Sequence, residues 1–139
     1  MSSTPVSKAR LFAEDFGLHM ESVGSQRMYG RILGWLLVCD PPVQSKDLVD
    51  ALGASKGSIS TATLVLVDMG LIERVPMPGK RGLHFRLCDD AWLNSMRARS
   101  GYIDLFVELT ERGLDLLADG TDSDRVRLQE MHDFYVFMQ

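Results

Sequence analysis

Two short stretches of this sequence carry groups suited to phosphate and base-edge chemistry. The first, Ser55-Lys56-Gly57-Ser58-Ile59-Ser60-Thr61, gathers small hydroxyls and one ammonium at the start of an apolar-periodic segment. The second, Pro78-Gly79-Lys80-Arg81-Gly82, sets two cations in a turn. Hydroxyls and lysine donate hydrogen bonds to phosphate oxygens, and small side chains let a helix enter a groove that bulky apolar groups would block. A helix beginning at Lys56 adds its own unpaired amides and the positive end of its dipole. Ser55, Lys56, Gly57, Ser58, Ser60 and Thr61 are therefore candidate contacts to double-stranded DNA, joined by Ser45 at the start of the preceding helix and by Lys80 and Arg81 at a hairpin tip.

Other chemistries find less support. No glycine-rich phosphate loop follows a strand and no nucleophile motif is present, so neither an enzyme nor a cofactor is expected. Asp89-Asp90 reads as a helix-capping pair rather than an acid/base pair. Cys39 and Cys88 lie far apart, and His19, His84 and His132 share no ligand spacing with them, so no metal site is expected. Asp40, Asp89 and Asp90 beside the thiols would raise their pKa values, which gives both cysteines structural roles. The aromatics Phe12, Phe16, Tyr29, Trp35, Trp92, Tyr102 and Phe106 could box a quaternary ammonium ligand through cation–π contacts, although aromatics at helical spacing ordinarily serve as core.

A net charge of −4 speaks against a polyanionic partner until its distribution is considered. Residues 1–88 carry 10 Lys/Arg against 8 Asp/Glu, whereas residues 89–139 carry 5 against 11. Between 56 and 86, Lys56, Arg74, Lys80, Arg81 and Arg86 face only Asp68 and Glu73, a local excess of three positive charges. A field of mixed sign can turn its basic face to DNA and its acidic face away.

These groups need elements to hold them. Phe12, Phe16, Met20 and Val23 recur at helical spacing over 7–23, and the Gly24-Ser25 pair ends that helix and caps the next, over 25–38. Asp40-Pro41-Pro42 stops the second helix. Ser45 is a suitable N-cap for a short helix over 46–52, closed by Gly53, and Ser55 for a helix over 56–69 whose buried side is Ile59, Ala62, Leu66 and Met69. Two strands, 73–77 and 83–88, flank the cationic turn, with Leu83, Phe85 and Leu87 facing the helices and His84, Arg86 and Cys88 facing away. A long helix then runs from Asp89-Asp90 to about residue 118, with Gly101 and Gly113 as potential bends, and a last helix ends in the apolar Tyr135-Val136-Phe137-Met138. That end is too apolar for water, so the terminal helices are expected to pair with those of a second copy.

The run LVDALGASKGSISTATLVLVDMGLIERVPMPGKRGLHFRL resembles the DNA-binding part of MarR-type winged helix-turn-helix regulators and, within them, the GbsR-like branch, whose relatives include repressors of glycine-betaine synthesis. The likeness rests on SKGSIS at 55–60, MGLIERV at 69–75, PGKRG at 78–82 and GSQRMYGRILGWLL at 24–37. Past residue 90 only helical character matches. The resemblance implies a homodimer that sets one recognition helix per subunit in successive major grooves, with the wing tip at the flanking backbone or minor groove, so that Ser55, Lys56, Ser58, Ser60 and Thr61 would face the DNA and Lys80 and Arg81 would sit at the wing.

The expectation is a single domain over 1–139, mainly α with a small antiparallel β-hairpin wing. Its winged helix-turn-helix core spans 25–88, and dimerisation helices cover 7–23 and 90–139. Function is expected to be sequence-specific transcriptional regulation, with repression favoured, and a small-molecule effector is a candidate partner. The alternative is a winged-helix protein–protein module that does not bind DNA. MSSTPVSKARLF has no signal-type apolar segment, and the apolar run 32–39 is too short for a bilayer, so a cytoplasmic protein with no membrane partner is expected.

Overall fold

The computed structural model describes residues 6–139; the first five residues of the N-terminal stretch lie outside them. The elements are α1 (Val6–Ser22), α2 (Arg27–Val38), β1 (Val43–Gln44), α3 (Ser45–Leu52), α4 (Lys56–Asp68), β2 (Ile72–Arg74), β3 (His84–Leu87), α5 (Ala91–Leu116) and α6 (Asp122–Met138). The mainly helical class with a small antiparallel sheet is the one expected. The chain divides into two compact units, Met1–Asn94 and Ser95–Gln139. Among the described residues no helix is long and apolar enough to cross a membrane.

In the first unit, α1 and α2 approach through small residues rather than through the large ones. Ala9, Ala13 and Gly17 are the buried positions of α1, while Phe12 and Val23 are exposed and Phe16 and Met20 only half-buried. The partners on α2 are Gly30 and Gly34. A Cβ on Gly30 would stand 2.6 Å from the Phe16 carbonyl oxygen, and one on Gly34 would stand 2.9 Å from the Cα of Ala13. The expected Phe12-Phe16-Met20-Val23 face is thus displaced by a quarter-turn, because the spacing of the two backbones is set by what is absent.

Gly30→Ala gains helix propensity but drives a methyl into backbone, and overpacking of roughly 1–3 kcal/mol outweighs a gain of about 1 kcal/mol. Its melting temperature falls. Gly101→Ala, in α5 with nothing within 4 Å of the new Cβ, gains the propensity alone, and its melting temperature rises. Thermal unfolding of the two variants checks both signs.

The end of α1 is a Schellman closure. Gly24, at φ 85°, donates to the Glu21 carbonyl at 3.1 Å and Ser25 to the Met20 carbonyl at 2.9 Å. Ser25 is consumed there, so the residue before α2 is Gln26, which makes no side-chain cap. Arg31 then ties three helices together: its Nε donates to Glu14 of α1 at 2.7 Å, and its Nη2 donates to the Leu52 carbonyl at the end of α3. The core beneath is formed by Ile32, Leu33, Leu48, Ile59, Leu66, Ile72 and Phe85.

The sheet has three strands, ordered β1-β3-β2, where a two-stranded hairpin was expected. Val43 pairs with Phe85 and Gln44 with His84; Glu73 pairs with Arg86. A two-residue strand has no periodicity to betray it. Two side-chain assignments are corrected as well. His84 is buried, with Nδ1 3.3 Å from the Gly82 carbonyl oxygen, and Leu83, which precedes the strand, is exposed. Phe85 and Leu87 face the helices as expected.

The second unit is an antiparallel helical pair. The phenol ring of Tyr135 stacks on Phe106 with centroids 4.7 Å apart, and a Cβ on Gly113 would meet Leu128 at 2.7 Å. Close packing, not a bend, is therefore the role of Gly113, and α5 runs unbroken through it and Gly101. The Asp124 carboxylate accepts from the Thr121 backbone N–H at 3.1 Å and closes the start of α6. Among the described residues of this unit only Val107 and Thr110 are buried, and Thr110 satisfies its hydroxyl on the Phe106 and Val107 carbonyls.

Candidate nucleic-acid interface

The helix-turn-helix consists of α3, a turn through Gly53 at φ 60°, and α4. Ser55 caps α4 as its sequence predicts: its Oγ accepts from the Ser58 N–H at 3.0 Å and donates to the Ser58 Oγ at 3.0 Å. Ile59, Ala62, Thr63 and Leu66 are buried, Thr63 donating to the Ile59 carbonyl at 2.8 Å. Met69 is exposed instead of buried because the helix has ended and Met69 is its C-cap. Lys56, Gly57, Ser58, Ser60 and Thr61 are all exposed on the outward side. So is Leu64, the large apolar side chain among them. An open hollow beside this face is lined by Gln26, just before α2, and by Met28 and Tyr29 of α2, together with Gly57, Ser58 and Thr61.

The wing tip is held from both sides. Lys80 donates its N–H to the Met77 carbonyl at 3.0 Å across Pro78-Gly79, and Gly79 takes φ 78°, the signature of a type II turn. Gln44, a residue no sequence motif singles out, donates from Nε2 to the Arg81 carbonyl at 2.8 Å. The Lys80 and Arg81 side chains remain exposed.

Ion pairing sorts the cations. Arg27 is bidentate to Glu21 at 2.8 and 3.0 Å, Arg31 meets Glu14, and Arg86 meets Glu73 across the two strands. The hydrogen bond to Glu73 raises the already high pKa of Arg86. Arg86 and Glu73 thus cancel, and the local excess of three positive charges resides on Lys56, Arg74, Lys80 and Arg81 against Asp68. None of these four cations forms an ion pair among the described residues.

Ser45 differs from its expected role. It is the first residue of α3 and not its cap, and its N–H donates to the Leu83 carbonyl at 2.8 Å, so the sheet rather than a capping hydroxyl sets the helix start. It is half-buried, unlike the other candidate contacts. The cysteines are both free and half-buried. Desolvation, then Asp40, raises the pKa of Cys39; desolvation, then Glu73, raises that of Cys88. Both therefore stay thiols at neutral pH. Alkylation by iodoacetamide at pH 7 is expected to run slower than that of an ordinary free thiol, and to climb only at a higher pH than that thiol requires.

The candidate aromatics fall in both units. Phe12 and Phe16 meet edge to face at 6.0 Å, Trp35 is buried in the core, and Tyr29 edges the hollow beside α4. Trp92 and Tyr102 are exposed, and Phe106 stacks on Tyr135, a residue outside the expected set. Among the described residues no group of three or more His, Cys, Asp or Glu is placed to hold a metal ion.

The chain is 40% identical over 129 residues to the HTH-type transcriptional regulator MmpR5 of Mycobacterium tuberculosis, covering 92% of this chain and 78% of that protein. It belongs to the MarR family of transcriptional regulators. A family model for MmpR5-like MarR family transcriptional regulators matches residues 90–139, the part in which the central motifs' resemblance offered only helical character. A crystal structure of a transcriptional regulator, 39% identical, superposes with a TM-score of 0.81 and covers 94% of this chain and 90% of that one. The named relative and the family model are both MmpR5-like, and the GbsR-like likeness of the central motifs stays a resemblance.

Proposed function

We propose that this MarR-family chain is a homodimeric, sequence-specific DNA-binding repressor that a small-molecule effector releases from its operator. The observation that carries the reading is the sorting of cations. Arginines that join elements are neutralised by carboxylates, while Lys56, Lys80 and Arg81 stay exposed and unpaired at the start of α4 and at the wing tip. Unpaired cations beside the positive end of a helix are matched to phosphate.

The dimer is supported by the second unit. Leu116 and Phe137 are each 85% exposed in the single chain, and Tyr102, Leu105 and Phe134 are also uncovered. Fully burying a side chain of this kind is worth roughly 1.5–3 kcal/mol, so a second copy of the same helices is the simplest cover. Two recognition helices on a palindrome must lie about 34 Å apart, and an effector that altered helix packing would spoil that match. In vitro transcription from a promoter carrying an operator selected from random duplex DNA with the purified protein tests the direction of regulation. Transcript falls with added protein if the chain represses, and a rise in transcript contradicts repression.

A further inference from the structure

Along the solvent side of α4, Gly57, Thr61, Leu64 and Asp68 follow one another at i, i+4, i+7 and i+11, with Ser60 beside them. This stripe lies opposite the buried one, Ile59, Ala62, Thr63 and Leu66. It holds no arginine, lysine, asparagine or glutamine, the side chains that read guanine or adenine through paired hydrogen bonds; Lys56 stands just before it at the helix start. What it does hold is a leucine 53% exposed to solvent and a threonine methyl one turn before it. Gly57 adds no side chain, and a Cβ there would have no neighbour closer than 3.9 Å, so the helix start can approach a base surface closely.

In the major groove the one apolar group a base presents is the thymine C5-methyl. We infer that Leu64 and the Thr61 methyl read thymine methyl groups, and that sequence discrimination by this helix rests on them more than on hydrogen-bonded base readout. Lys56 and the hydroxyls of Ser58 and Ser60 then serve phosphates or accept several bases alike. Asp68, at the far end of the stripe, repels the backbone and confines the contact to the first three turns of α4. The inference deepens the DNA-binding reading and rests on it.

Deoxyuridine differs from thymidine only by that methyl, which makes it the direct probe. The test is fluorescence anisotropy of the full-length protein on its selected operator, with each thymine replaced in turn by deoxyuridine. One or two thymines per half-site should lose about 3- to 10-fold in affinity when demethylated, a fraction of the usual cost of a wrong base pair. Leu64→Ala or Thr61→Ser, the latter keeping its hydroxyl, should abolish the loss at its own thymine. Both positions are exposed, and circular dichroism confirms that the variants fold. Selective operator binding that is indifferent to every deoxyuridine overturns the methyl reading and leaves DNA binding intact. A demethylation loss that persists unchanged in both variants places the readout on other residues. Failure to bind any DNA removes the underlying reading as well.

Discussion

Lys80→Ala combined with Arg81→Ala is expected to weaken operator binding by roughly 10- to 100-fold at moderate salt, and to flatten its salt dependence. Each phosphate neutralised by a cation releases counterions and contributes about 0.9 to the slope of log affinity against log salt. With two wing cations in each of two subunits, the slope should become shallower by roughly 3 to 4. The wing should survive the change, because Gly79, Gly82 and the Gln44 bond to the Arg81 carbonyl shape it through the backbone. The informative control is Arg86→Gln. That residue is also a cation on the wing, but Glu73 neutralises it, so its removal should leave the slope nearly unchanged. Binding titrations between low and physiological salt make the comparison, and an unchanged slope in the double variant removes the wing from the DNA contact.

The second large effect concerns assembly. Leu116→Asp with Phe137→Asp places two charges where the single chain leaves two apolar side chains 85% exposed. In a monomer such a change is nearly neutral. If these helices cover each other between two copies, it buries unpaired carboxylates and splits the dimer. Light scattering should then report 15.5 kDa instead of twice that mass. Affinity for a palindromic operator should fall by about 10²- to 10⁴-fold, because linking two binding modules is worth that much without any new contact. Affinity for an isolated half-site should hardly move. A variant that remains dimeric would place the interface elsewhere.

How much of this was legible in the sequence depends on the range of the interaction. The Ser55 cap, the Gly53 turn and the Pro78-Gly79 wing tip are decided within three or four residues, and each appears where its residues predict. The same local rules placed the exposed hydroxyls and cations of the candidate interface. Failures occur where distant chain intervenes. Ser45 has the side chain of a cap, yet β1 pairs with β3 and takes its N–H for the sheet. His84 is buried, and Leu83, which precedes β3, is exposed, so the strand's alternation starts one residue later than its pattern suggests. Nor does a periodicity that weighs large apolar groups find the α1 contact face, because close approach there needs small ones. The spacing Ala9, Ala13, Gly17 against Gly30, Gly34 was the available signal. At the site, the neutralisation of Arg86 depends on the register that sets it opposite Glu73, and Leu64 escapes a reading attuned to polar groups.

The central claim, that two copies of this chain read a symmetric DNA site through α4 and the wing, is tested most directly by selecting bound sequences from a random duplex pool with the purified protein. The account predicts enrichment of an inverted repeat whose half-sites lie about 10 base pairs, one helical turn, or a multiple of that apart. A pool that emerges without enrichment, or enriched in a single unpaired half-site, would contradict it.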